Sequence, residues 1–179
     1  MSGPTLVIEL AEPLSPAALR RFRALMVGLS SHFEERRPWF FDVNVSAERL
    51  GVQDDWKDDS HRPFLVYLMG PGVGDESTFE AEHADEPEVE AVLCFRPTHA
   101  VNVSASCNRE IDHVVTALLT AAVMDVIGGV ANAELLDGQA PVVAGLPGVL
   151  GIADDGWTAL GTAEFLRAWA GHPAFRLVK

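Results

Sequence analysis

The sequence predicts an α+β fold: a mixed, mainly antiparallel sheet of about five to seven strands with three helices, in a single domain spanning residues 1–179. Three observations carry this. Stretches of strict period-two alternation recur along the chain, as half-buried strands require. Two long segments place apolar residues at helical spacing instead. The chain has 179 residues, 48% of them hydrophobic, which suits one domain burying about 70% of its unfolded surface. The expected order is β-α-β-β-β-β-α-β-α-β.

The first strand is Thr5 to Leu10, with Leu6, Ile8 and Leu10 on one face. Ser15 is placed to cap a helix and Pro16 suits its first position. The stripe Leu19, Phe22, Met26, Leu29 and Phe33 carries that helix to about Glu35. Arg20, Arg21 and Arg23 lie on or beside its outer face, as a solvated surface or an anion contact. Phe40 to Ser46 alternates cleanly and reads as a strand. Phe64 to Met69 is continuously apolar between Pro63 and Gly70, so it reads as a central strand buried on both faces.

From Asp75 to Glu90 there are eight acids and no lysine or arginine. This reads as an acidic, mobile, solvated loop around residues 70–88. Its opening run Gly70-Pro71-Gly72-Val73-Gly74 is not read as a phosphate loop, because Asp75 and Glu76 follow, no helix is expected to open there, and the lysine with serine or threonine is missing.

The central stretch runs from Val89 to Leu136. Val89, Ala91, Leu93 and Phe95 alternate, as do His99, Val101, Val103 and Ala105, with Arg96-Pro97 between them. An antiparallel hairpin is expected. Asn108 offers an N-cap, and Glu110 and Asp112 suit the first turn of the helix that follows. That helix is apolar nearly all round in its second half, so it is expected to be buried, and Gly128-Gly129 end it. Another strand follows. Val142-Val143 and Val149 to Ile152 are short strands or loop pieces. Thr162 is placed to cap a last helix with Phe165, Leu166 and Trp169, and Phe175 to Val178 reads as a final short strand.

Composition excludes some functions. The net charge of −13 argues against nucleic-acid or anionic-lipid binding and permits a basic protein partner or a cationic ligand. No basic region followed by an apolar run opens the chain. The longest apolar stretch, Val114 to Ile127, is interrupted and too short to span a bilayer. In the expected hairpin Cys94 and Cys107 are roughly 26 Å apart at about 3.3 Å per residue, so no disulfide is expected. A cytoplasmic protein is the expectation.

Catalytic and metal motifs are missing. There is no G-x-S-x-G and no P-loop. None of the six histidines is three or four residues from another, and no H-E-x-x-H or C-x-x-C exists. Neither a cofactor nor a metal is expected. Two candidate surfaces remain. In Gln53 to Asp59, the acids Asp54, Asp55, Asp58 and Asp59 flank Trp56: a solvated loop, or an aromatic anchor ringed by acids for a basic partner. Alternatively His99, Cys107, Asn108 and His113 line a ligand pocket. Cys107 at a helix start is where a thiolate would be stabilised, although packing of a small cysteine explains it as well. His99 reads equally as a satisfied structural histidine.

Two segments resemble a family of actinobacterial proteins of unknown function. The tail GTAEFLRAWAGHPAFRLVK (Gly161 to Lys179) resembles that family's ending, and Cys107-Asn108 through His113 to Gly128-Gly129 resembles its middle. Together they cover under a third of the chain. Val130-Ala131-Asn132-Ala133 departs from the aromatic expected after the glycine pair. The family implies no active site, so no residue role follows from it. The general look also resembles toxin-immunity proteins, an analogy of size and composition. The leading expectation is therefore a non-enzymatic, acidic binding protein of the immunity or antitoxin type that captures a basic partner such as a toxin. A ligand binder or enzyme using the His99 pocket, and an accessory subunit, are the other readings.

Overall fold

The computed structural model describes residues 3–52, 61–83 and 86–179. Its centre is one eight-stranded sheet. The strands are β1 Thr5–Leu10, β2 Ser30–Arg37, β3 Phe40–Ser46, β4 His61–Met69, β5 His99–Ala105, β6 Val130–Glu134, β7 Val149–Ile152 and β8 Thr158–Gly161. Their order is β2-β3-β4-β5-β1-β6-β8-β7, and each adjacent pair is antiparallel. Six helices accompany it among the described residues: α1 Pro16–Leu29, α2 Glu76–Glu82, α3 Pro87–Leu93, α4 Glu110–Ile127, α5 Ala140–Val143 and α6 Ala163–Ala170. The α+β class holds, with more strands and helices than the sequence suggested. No described helix is long and apolar enough to cross a membrane.

Period two divides the sheet into two unlike faces. On the first, Leu6, Ile8, Phe41, Val43, Phe64, Val66, Val101 and Val103 are buried beneath α1, α4 and α6. Each large apolar side chain buried there contributes about 1.5–3 kcal/mol. Phe22 of α1 meets Phe41 edge-on at 5.3 Å, and Trp169 of α6 stacks on Phe165 at 5.4 Å. Helix α4 crosses the middle, buried along most of its length. At its end Gly129 (φ +93°) passes so close to β1 that a Cβ would stand 2.5 Å from Ile8 Cγ2.

Thr5, Val7 and Glu9 of β1 face the other way, in register with Ser104, Asn102 and Ala100 of β5. Two short helices cover this second face only in part. Phe79 of α2 sits on Met69 and Ala100. Val89 and Leu93 of α3 sit on Leu160. A gap remains between them.

Several expectations are corrected. The hairpin before His99 is absent, because Val89 to Leu93 is helical. Val89, Ala91 and Leu93 alternate, but Val89 and Leu93 are also one helical turn apart, and Pro87 occupies the first turn. Cys94 closes that helix in the left-handed conformation, and both cysteines are free thiols. Helix α1 stops at Leu29, not near Glu35, since Gly28, Ser30 and Ser31 are weak helix formers. The Ser30 hydroxyl donates to the Met26 carbonyl at 2.7 Å. Phe33 belongs to β2, opposite Val43. The acidic segment around 70–88 contains α2 and the start of α3. Asn108 is not the N-cap of α4: Arg109 is, and the Asp112 carboxylate accepts its backbone N–H at 2.7 Å. Val142 and Val143 are helical. Phe175 to Val178 forms no strand. That tail is docked instead by Gln139, whose Nε2 donates to the carbonyls of Ala174 and Arg176. Strand β8 went unseen, because Thr158-Ala159-Leu160-Gly161 is short and ends in glycine.

Candidate functional site

The four residues of the expected pocket separate in space. Asp54, Asp55, Trp56, Asp58 and Asp59 lie outside the described residues. His99 opens β5, whereas Cys107 lies two residues past its end, roughly 25 Å along an extended chain. The four pocket candidates therefore do not converge. His99 is buried and satisfied at both ring nitrogens. Its Nε2 donates to the Pro71 carbonyl at 3.0 Å, and Thr98 Oγ1 lies 3.0 Å from Nδ1. Gly70 permits this, since a Cβ there would meet the ring at 2.8 Å.

His113 and Asn108 do come together. The backbone N–H of Leu177 donates to His113 Nδ1 at 3.1 Å. An N–H can only donate, so Nδ1 is bare and the proton sits on Nε2, which points at Asn108 Oδ1 3.0 Å away. Burial, and then the positive charge of Arg176, lower the His113 pKa from its ordinary value. This neutral imidazole is a clasp holding the C-terminal tail to α4.

The site that sequence reading missed is the gap on the second face. Glu9 projects from the C-terminal end of β1 and is fully buried. Asn132 of β6, beside β1, donates from Nδ2 to Glu9 Oε1 at 3.0 Å. His83, the residue that ends α2, is 6% exposed and brings Nδ1 within 3.2 Å of the same oxygen. The two groups are misaligned for a hydrogen bond. Glu9 Oε2 and both His83 ring nitrogens are left without hydrogen-bond partners, alongside the Trp169 indole nitrogen on the other face. Native interiors rarely tolerate such groups, each costing about 1–3 kcal/mol. Glu86, just before α3, completes a triad whose donor atoms lie within 4.8 Å of one another.

Above this triad opens a pocket of about 430 Å³. Its floor is polar: Asn102 and Asn132 flank Val7 in register across β5, β1 and β6. Among the described residues, five acids line it (Glu82, Glu86, Glu88, Glu134 and Asp155) against one lysine, Lys179. Burial opposes the charged form of His83, but the adjacent Glu9 carboxylate, with Glu86 and Glu82 behind it, outweighs burial and raises its pKa. Burial, then the charge of Glu9, raises the pKa of Glu86. The pocket therefore holds concentrated negative potential in a partly desolvated space, and it attracts positive charge.

Signals for this site did exist. Glu9 is the single acid in an otherwise apolar alternation, and His83 and Glu86 are three residues apart. They went unread because His83 and Glu86 sit in a run that looks wholly solvated.

Fold and pocket together define a single-sheet α+β protein with an acid-lined cavity on the thinly covered face. The chain belongs to a family of unknown function, "Family of unknown function (DUF6368)", whose model matches residues 2–179. Neither the curated proteins nor the solved structures contain a match.

Proposed function

We propose that the protein is a binding protein whose working surface is the acid-lined pocket on the second face, and that its ligand is a small cation or a cationic group. The observation that carries this is the buried, incompletely hydrogen-bonded Glu9–His83 pair at the base of a pocket with five acidic side chains and one basic one. Val7 and Val89 supply apolar wall to the same pocket, so a ligand with a short aliphatic stem behind its charge suits the shape. Among the described residues, no hydroxyl or thiol lining it is hydrogen-bonded to an imidazole, which favours binding over acyl or phosphoryl transfer.

Calorimetric titration of the whole protein with spermidine and agmatine tests this reading. Saturable binding, weakened by added salt and by Asp155→Asn with Glu134→Gln, is expected. Heats indistinguishable from dilution for every cation would overturn it.

Capture of a basic protein partner is the second reading we propose, in the manner of an immunity protein. The net charge of −13 supports it, because such a field steers cationic partners. Co-purification of a basic protein in stoichiometric amount, lost at high salt, is its expected signature.

A further inference from the structure

We propose that Glu9, His83 and Glu86 bind a divalent first-row transition-metal ion at the floor of this pocket. The inference rests on reading the pocket as a cation site and names the cation. Two carboxylates and one imidazole come from three separate places: the C-terminal end of β1, the residue closing α2 and the residue leading α3. Their donor atoms converge within 4.8 Å. The 3.2 Å between His83 Nδ1 and Glu9 Oε1 is close to the ligand–ligand edge of a tetrahedral site with bonds of about 2.0–2.1 Å. It is a poor hydrogen bond and a good pair of metal ligands. Glu86 is only half-buried, and its carboxylate stands within 4.8 Å of the other donor atoms as the third ligand.

The surroundings agree. Asn132 donates to Glu9 Oε1, which keeps a second lone pair for an ion, as outer partners orient a ligating carboxylate. One ion held by His83 Nδ1 and the Glu9 carboxylate would account for two of the three orphaned atoms of the pair, leaving His83 Nε2 facing Glu82 Oε2 at 3.9 Å. Mixed nitrogen and oxygen donors suit zinc, manganese, iron, cobalt or nickel, whereas magnesium and calcium favour all-oxygen shells. The pocket above leaves room for water or a ligand at the remaining positions.

Glu9, Glu86 and Glu82 face His83 from β1, α3 and α2, with Lys179 at the rim. An imidazole or carboxylate must be deprotonated to bind an ion, so binding strengthens as pH rises and releases protons to buffer.

The test is calorimetry on the whole protein, stripped with chelator, titrated with Zn²⁺ and Mn²⁺, with Mg²⁺ as control, at two pH values. One Zn²⁺ or Mn²⁺ per chain is expected, tighter at higher pH and above Mg²⁺ in affinity. Each of Glu9→Gln, His83→Gln and Glu86→Gln should weaken it about tenfold or more. Glu86→Gln, at the half-exposed position, keeps the test valid if a buried variant misfolds. No stoichiometric ion in the wild type, or unchanged affinity in His83→Gln and Glu86→Gln, overturns the metal site. If spermidine or agmatine binds while metals do not, the metal inference fails and the pocket reading stands. If neither binds, both fail.

Discussion

Two buried carboxylates lie on opposite faces of the same sheet. Asp112, in the first turn of α4, is met by Arg62 of β4 in a two-pronged pair: Nε to Oδ1 at 2.6 Å and Nη2 to Oδ2 at 3.0 Å. Its Oδ2 also accepts the Arg109 N–H. Both partners are almost wholly buried, and both carboxylate oxygens are used. Glu9 is as deeply buried, yet one oxygen has no hydrogen-bond partner, and the other accepts from Asn132 and meets a misaligned imidazole. Asp112 closes its account within the protein by fastening a helix to a strand. Glu9 does not, and the atoms that could complete its shell come from outside. Buried charge alone does not separate a structural residue from a binding one; the completeness of its hydrogen bonding does.

The largest expected effect tests the structural side. Asp112→Ala removes the carboxylate from a buried guanidinium and an N-cap, and should cost about 3–5 kcal/mol in urea unfolding. A loss under about 1 kcal/mol would break the contrast at its stronger end.

His113 sits between the extremes: buried, neutral and satisfied on both nitrogens. His113→Ala should cost about 1–3 kcal/mol and speed amide exchange at Leu177. Its pKa is lowered, so the unfolded chain takes up a proton before the native one does. Stability should therefore fall as pH drops below about 6.5, and His113→Ala should flatten that part of the profile. An unchanged acid limb in the variant would assign the loss to other groups.

Glu9→Gln tests the other side and should change stability least. In metal-free protein it should lie within about 1 kcal/mol of wild type, because the Asn132 bond survives and an incompletely paired charge is removed. The His83 pKa, read by NMR, should fall, since burial then acts without its largest opponent. In the wild type that raised pKa means the native state keeps its proton longer than the unfolded chain. The stabilisation is present below about 6.5 and is lost as pH rises through the native value. If Glu9→Gln proves as costly as Asp112→Ala, Glu9 is structural and the contrast collapses.

How much was legible follows from which interactions are local. Strands β1, β3 and β5 and helix α4 were readable, because period and end signals agreed: Leu6, Ile8 and Leu10 alternate, and Gly128-Gly129 stop α4. Helix α1 and β2 blurred because Leu29 and Phe33 satisfy a helical stripe and a strand register alike. The segment from Val89 to Leu93 blurred for the same reason, with Pro87 the one cue to a helix. The pocket was not readable, since its acids look like solvated surface until α2 and α3 fold onto the sheet.

The sequence by itself determined the α+β class, the acidic field, the buried central helix and the half-buried character of β1, all consequences of side-chain periodicity and composition. Only the tertiary structure decided that Glu9, His83, Glu86 and Asn132 share one desolvated space. Their convergence depends on the order of strands β5, β1 and β6 and on where two short helices land. Those are long-range packing outcomes that no local pattern encodes.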